Sequence, residues 1–374
     1  MKILLIPEYF KYGGGSYTFL IKLLRLHHEL NIKTSLLIEH HKKCSEIEEI
    51  CEEYEVELYY CMDRRQLFTL PYLSIVYELI VYFLCIRKLS YDILVVSNIR
   101  VNLNLGYFII NSPIVFFMHS FPDRALSKKS SFMLLFAKLL RHNKQVVAVS
   151  HYAKLMVVRY MGFSSQYVRV VYNSIDESLV SAKKSNNKRI ILTLGLMTHL
   201  KNPDVWIQVA KKVSSEIPDI LFLWAGGHSN QVGLLMEKVV DLGLEKNVNL
   251  FDYRNDIKDL YLQSMIYFQP SVSESHGIAV IDAMAAGLPC VVSNVGGLRE
   301  SVTENFTGYL CESTDVDCFA ERIIFLLKNQ DRGKQLGLNG RKRAVRLFSE
   351  SSQKQKIASI YKRVRIGKDL YVRS

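Results

Sequence analysis

The strongest constraint in this chain is a rhythm that occurs twice: a short apolar run, a turn, then a stretch with apolar residues at helical spacing. KILLI at 2–6 ends at Pro7, three glycines at 13–15 supply a loop, and YTFLIKLLRLHHEL follows with the i, i+3, i+4 pattern of a helix. KTSLLIE, an apolar segment at 67–86, DILVVSN, PIVFFMHS, a helical pattern at about 128–141 and QVVAVS continue the series. Strands that alternate with helices predict a parallel, doubly wound sheet. VRVVYNSID at 168–176 is followed by SAKKSNNK, a polar run without apolar periodicity that reads as a linker. Beyond it the rhythm resumes with RIILTLGL, DILFLWAGG, VNLFDY, IYFQPSV, PCVVSNVGG and TGYLCE, with helical patterns near Trp206, around 234–242 and after Gly277. The expected architecture is α/β: two Rossmann-like domains over 1–178 and 186–350, with a closing helix in 351–374 that can join the first. Their strand ends would face each other across a cleft, where open α/β sheets bind ligands.

Composition agrees with two packed domains. At 374 residues, with 49% hydrophobic and 22% charged residues and only 8 Pro and 19 Gly, disordered and collagenous classes are excluded. The seven cysteines never form a CxxC pair, so neither a disulfide framework nor a zinc ribbon is expected, and a reducing compartment fits best. The opening MKILLIPEYF is too short in its apolar run for a secretory leader, which gives a cytoplasmic expectation. The segment 67–86 has the length of a membrane span, but Pro71 and Glu78 and the strand pattern that follows favour a buried or membrane-surface helix.

The net charge of +12 is unevenly placed. Residues 124–175 carry nine Lys or Arg and no acid, and 328–374 carry fourteen bases against three acids. Such stretches suit lipid headgroups, nucleic acid or phosphorylated substrates, or are solvated helix faces. No recognition motif accompanies the charge, so nucleic acid is not an expected partner.

The stretch PSVSESHGIAVIDAMAAGLPCVVSNVGGLRE, 270–300, is the most informative. Glu274 falls in the loop after the IYFQPSV strand, and a helix begins near Gly277 and stops at Gly287 and Pro289. The amides of His276, Gly277 and Ile278, with the helix dipole, would favour an anion by about 0.3 to 1 kcal/mol.

In these residues the chain resembles the retaining glycosyltransferases of the double-Rossmann (GT-B) fold known as family 4. Their signature is two acids separated by seven residues, here Glu274 and Asp282, followed by an Ala- and Met-rich helix, a Gly-x-Pro stop and a Gly-Gly loop before Glu300. The resemblance implies that Glu274 contacts donor-sugar hydroxyls and that Asp282, where the family usually has Glu, accepts from the ribose. In LTLGLMTHLKNPD it implies that Lys201 pairs with the donor diphosphate. Leu196 occupies the position of the family's Arg, so His199 or another Arg would have to compensate. A cation 4 Å from such a phosphate is worth roughly 4 kcal/mol at an effective dielectric near 20.

The resemblance further implies that His119, at the end of PIVFFMHS, faces the donor sugar, and that Gly14 and Gly15 lie near the donor phosphates. Asn173, Gly226 and Gly227 read as architectural. The implied reaction moves a sugar from a nucleotide-diphosphate sugar to a hydroxyl of a glycan or lipid-linked acceptor, as in surface polysaccharide synthesis. Glu274, His119 and Lys201 are the catalytic candidates, and Gly14, Gly15, Lys201, Glu274, His276, Gly277, Ile278 and Asp282 the donor-binding ones. No cofactor and no metal is expected, since no DxD-like pair follows a strand. The basic region 128–144, with interleaved Phe and Leu, suggests peripheral contact with an anionic membrane on the inner face of the cell membrane. A nucleotide-sugar 2-epimerase and a non-catalytic glycosyltransferase-like partner subunit are the competing readings.

Overall fold

The structure, a computed structural model, describes residues 1–7, 15–39, 45–61, 86, 88–97, 112–119, 144–182, 189–227 and 229–371. Gly14, nearly all of the apolar segment 67–86, the basic region 128–143 and most of the polar run 181–188 lie outside the described residues.

The chain divides into two units. The first comprises Met1–Tyr12, Ser16–Val171 and Lys354–Ser374, and the second Gly13–Gly15 and Tyr172–Gln353. In the first, β1 (Lys2–Ile6), α1 (Gly15–Glu29), β2 (Lys33–Glu39), α2 (Ser45–Glu53), β3 (Glu57–Cys61), β4 (Ile93–Ser97), β5 (Ile114–Met118), β6 (Lys144–Ala148), α3 (His151–Met161) and β7 (Val168–Val170) follow one another. The strands form a parallel sheet in the order β3-β2-β1-β4-β5-β6-β7. The central strands β4, β5 and β6 are buried at every position. That is why β4 and β5 read as largely apolar runs rather than as an alternation: helices cover both faces.

The second unit contains β8 (Ile190–Leu194), α4 (Pro203–Glu216), β9 (Leu221–Gly227), α5 (Ser229–Asp241), β10 (Val248–Asp252), α6 (Ile257–Gln263), β11 (Ile266–Gln269), α7 (Ile278–Ala285), β12 (Cys290–Ser293), α8 (Leu298–Ser301), β13 (Gly308–Cys311), α9 (Val316–Lys328) and α10 (Gln330–Phe348). The last helix, α11 (Glu350–Tyr371), crosses from the second unit into the first. The sheet is again parallel, in the order β10-β9-β8-β11-β12-β13. Strand order reverses between β8 and β11, so the loops leaving these two neighbours diverge to opposite faces and open a crevice at their carboxyl ends. Lys201 follows β8 and Glu274 follows β11.

Two features depart from the sequence reading. Cys311, closing β13, and Cys318, in the first turn of α9, are joined as a disulfide, which corrects the expectation that the cysteines stay unpaired. The strand end and the helix start bring their Cα atoms to 5.9 Å, within bonding reach without any CxxC spacing. Cys51, Cys61 and Cys290 are buried. The other departure is α10, a helix rich in charge and in glycine. Gly337 packs where a Cβ would lie 2.1 Å from the Gly287 carbonyl oxygen, so that helix glycine is a contact surface rather than a breaker. Among the described residues no helix is long and apolar enough to cross a membrane.

In the first unit, Ile357, Ile360, Tyr361 and Val364 of α11 lie in the core with α1 and β1. His27 of α1, with no exposed surface, sits among them with Nδ1 3.0 Å from Thr34 Oγ1 and Nε2 2.9 Å from Tyr361 Oη. Burial lowers its pKa to about 3. In the unfolded chain the ring takes its proton near pH 6.5, so the neutral fold is favoured above that value and loses stability as pH falls from 6.5 towards 3. At pH 5 the loss from this ring is about 2 kcal/mol. Thermal unfolding should therefore occur at lower temperature at pH 5 than at pH 7.5, with a smaller difference in His27→Gln. An equal pH response in both proteins would contradict this assignment.

Candidate functional site

The site is built from two loops of the second unit. After β8 the chain turns at Gly195, whose φ of +126° is open to glycine, and whose carbonyl accepts from Trp224 Nε1 at 2.9 Å. A short turn over His199–Lys201 follows, and Asn202, at φ +58°, leads into α4 with Pro203 in its first turn. Asn202 Nδ2 donates to the Ser313 carbonyl at 2.8 Å, so the residue beside Lys201 is tied to the loop after β13. The second loop runs from β11 to α7. It is fastened to the first by Val272 N–H donating to the Leu200 carbonyl at 2.9 Å.

These attachments bring Lys201 and Glu274, 73 residues apart, into a direct ion pair between Nζ and Oε2. Each side chain keeps only about a fifth of its surface, 20% and 18%. Gln269 Nε2 donates to the same Oε2 at 3.1 Å and to Ser271 Oγ at 3.1 Å, while its Oε1 accepts from Tyr267 Oη at 2.8 Å. Among the described residues, Glu274 Oε1 has no hydrogen-bond partner.

Gly277 starts α7 in the left-handed region at φ +86°. A Cβ there would lie 2.7 Å from Leu298 Cδ2 and 3.5 Å from Glu274 Cγ, so only glycine lets the loop turn against α8 beside the carboxylate. The Gly277 carbonyl accepts from Val280 and Ile281, which leaves the Ile278 and Ala279 amides without an intrahelical acceptor. An ammonium, a carboxylate oxygen and the positive end of a helix thus meet at the switch point of the sheet.

The other sequence candidates lie as follows. Asp282 is buried on α7, and its Oδ1 accepts from the Asp176 backbone N–H at 2.7 Å, a role its spacing gave no hint of. The His276 side chain is 1% exposed, stacked on Tyr172 at 5.0 Å and edge-on to Phe348 at 5.1 Å. Burial lowers its pKa to about 3, so the ring is a neutral packing group and only the backbone of this residue is available for the role expected of it.

His119 follows β5 in the first unit with its ring 3.9 Å from that of Phe19, and burial likewise lowers its pKa to about 3. Gly15 is the first residue of α1. Leu196 is half-buried and His199 exposed. Arg299 donates twice to the Asn294 carbonyl, and Arg254 pairs with Asp256. Among the described residues no group of three or more His, Cys, Asp or Glu is gathered to hold a metal.

Gln269 and Tyr267 were absent from the sequence candidates. The available signal was a glutamine closing the otherwise apolar run IYFQ, since a fully buried amide must find partners.

Two parallel doubly wound sheets, with the charged groups at the switch point of the second, define the GT-B class. The chain matches the family models described as Glycosyltransferase Family 4 over residues 13–179 and as Glycosyl transferases group 1 over 174–343. It belongs to these glycosyltransferases. The fold is shared with a glycosyltransferase from Rickettsia africae ESF-5 at a TM-score of 0.80 and 19% identity, covering 97% of this chain and 98% of that one. The N-acetyl-alpha-D-glucosaminyl L-malate synthase of Bacillus anthracis is 28% identical over 53% of each chain. The UDP-Gal:alpha-D-GlcNAc-diphosphoundecaprenol alpha-1,3-galactosyltransferase of Escherichia coli is 28% identical over 50% of this chain and 48% of that one. The chain thus spans about half the length of these two relatives.

The Asp282 bond predicts a stability effect separate from any ligand. Asp282→Ala should lower stability in the absence of ligand by about 1.5 to 3 kcal/mol, the range for a hydrogen bond to a charged group, and Asp282→Asn by less. Denaturant unfolding of the unliganded proteins measures it, and an Ala variant as stable as the parent would contradict the bond.

Proposed function

We propose that this protein transfers a sugar from a nucleotide-diphosphate sugar to a hydroxyl of a glycan or lipid-linked acceptor, with retention of the anomeric configuration, in surface polysaccharide synthesis. The observation that supports the reading most is the meeting of Lys201, Glu274 and the N-terminus of α7 at the sheet's switch point. The E. coli relative is named for a UDP-sugar donor and a lipid-diphosphate acceptor, which supports the same donor and acceptor classes here.

In this reading the diphosphate lies against the Ile278 and Ala279 amides and draws Lys201 towards it. Departure of that group leaves positive character at the anomeric carbon, so stabilising the leaving anion is the main catalytic contribution. Glu274, held in place, offers Oε1 to the sugar hydroxyls, and Asp282 is the proposed acceptor for the ribose hydroxyls. The scheme assigns no protein nucleophile and requires no metal. A lipid-linked acceptor would place the enzyme peripherally on the inner face of the cell membrane, with 128–144 as the proposed contact. Leu196, in place of an arginine, favours a second reading, a subunit that binds nucleotide without transferring sugar.

Release of nucleoside diphosphate, measured with a panel of UDP, GDP and ADP sugars and lipid-linked acceptors, tests the proposal. Glu274→Ala and Lys201→Ala should each lower transfer by about 10²-fold or more while the protein stays folded, as circular dichroism would show. Wild-type turnover in Glu274→Ala would sink the catalytic assignment. Nucleotide binding without transfer to any acceptor would favour the second reading.

A further inference from the structure

The donor converging on Glu274 from beneath the site has a consequence for what happens when Lys201 turns to another anion. Gln269 is fully buried at the end of β11, and every polar atom of its amide is directed: Oε1 accepts from Tyr267 Oη, and Nε2 donates to Ser271 and Glu274. Tyr267 is in turn 3.4 Å from the Leu194 backbone, where β8 ends. A continuous hydrogen-bonded path therefore runs from the end of β8 through Tyr267 and Gln269 to Glu274.

The orientation of this amide is set at one end. A carboxylate oxygen can only accept, which turns the NH₂ group towards Glu274 and leaves Oε1 to accept from Tyr267 Oη. Lys201 and Gln269 both reach Oε2. The two donors differ in mobility: Lys201 is a flexible stem with a fifth of its surface exposed, whereas Gln269 is locked in the core.

We propose that Gln269 is a positioning residue for Glu274: it keeps the carboxylate fixed, with Oε1 towards the sugar, after Lys201 has moved from Glu274 to the incoming diphosphate. This inference rests on the proposed reading of Glu274 as a sugar contact. Without the amide, binding of the diphosphate would leave Oε2 with no donor in a half-buried site, and the carboxylate would turn to find one. Gln269 would thus be felt in the recognition of the sugar and not in that of the nucleotide.

The test is the ratio of affinities for UDP-galactose and UDP, measured by calorimetry on the full chain. Gln269→Met keeps the volume and removes both polar functions. Gln269→Glu keeps an acceptor for Tyr267 and, where its carboxyl is ionised, removes the donor to Glu274; titrations at pH 7 and pH 9 make that distinction, since a protonated carboxyl would still donate. Both should weaken UDP-galactose binding about tenfold, the size of one hydrogen bond to a charged group, with UDP unchanged within about twofold. In steady state kcat should fall while the acceptor KM holds.

If Gln269→Glu behaves as the parent at both pH values, Tyr267 is the partner that matters and the proposal is overturned. An equal loss of both ligands in the two variants would also overturn it, as a general distortion. Glu274→Ala in the same titration separates the layers. An unchanged ratio there removes Glu274 as a sugar contact, and this proposal with it. A lowered ratio there with none in the Gln269 variants overturns the positioning role alone.

Discussion

An ammonium and a carboxylate set side by side at the rim of a parallel sheet, each about four-fifths covered, are the interaction on which the second unit's site depends. Charges so placed are tolerated only in company, because an isolated ion in a half-dry crevice loses more hydration than packing returns. Lys201 and Glu274 supply that company for one another in the absence of a ligand. In the proposed reading a polyanion entering the crevice would compete with Glu274 for the lysine. The strand order explains why they meet: β8 and β11 are neighbours although 71 residues separate the end of one from the start of the other.

The glycines around this pair act through close approach. Gly226 has a φ of +113° and comes so near Gly195 that a Cβ would lie 3.0 Å from its backbone, which brings the ends of β8 and β9 together behind the lysine turn. On the other side, a Cβ at Gly297 would lie 2.2 Å from the Ser275 carbonyl oxygen, and the Gly297 N–H donates to the Glu274 carbonyl at 2.9 Å. The carboxylate is thus carried on a loop pinned at its backbone, at its flank by Gly277 and at its tip by Gln269. Fixed dipoles and hydrogen bonds of this kind need no rearrangement when charge develops, which is the condition for electrostatic catalysis.

Much of this layout was legible in the chain because the strands are buried on both faces and announce themselves as apolar runs, IVFFM and IILTL among them. Glu274, Asp282, Lys201 and the glycine before α7 stood out through the resemblance of 270–300 and 192–204 to the family's motifs. What stayed hidden depended on partners distant in sequence. Asp282 looked like a ligand group, and nothing local revealed that it accepts from Asp176. Gln269 looked like the end of a strand, and its meaning comes from Tyr267 and Glu274. Helix α10 was obscured by the glycines and charges that let it pack against Gly287, and the Cys311–Cys318 bond by the absence of a familiar spacing.

The most direct measurement is a crystal structure of the full chain with an intact nucleotide-diphosphate sugar. The account predicts the diphosphate against the Ile278 and Ala279 amides, Lys201 Nζ transferred to a phosphate oxygen, and Glu274 still bonded to Gln269 with Oε1 on a sugar hydroxyl. A nucleotide bound elsewhere, with the Lys201 and Glu274 pair intact, would contradict it.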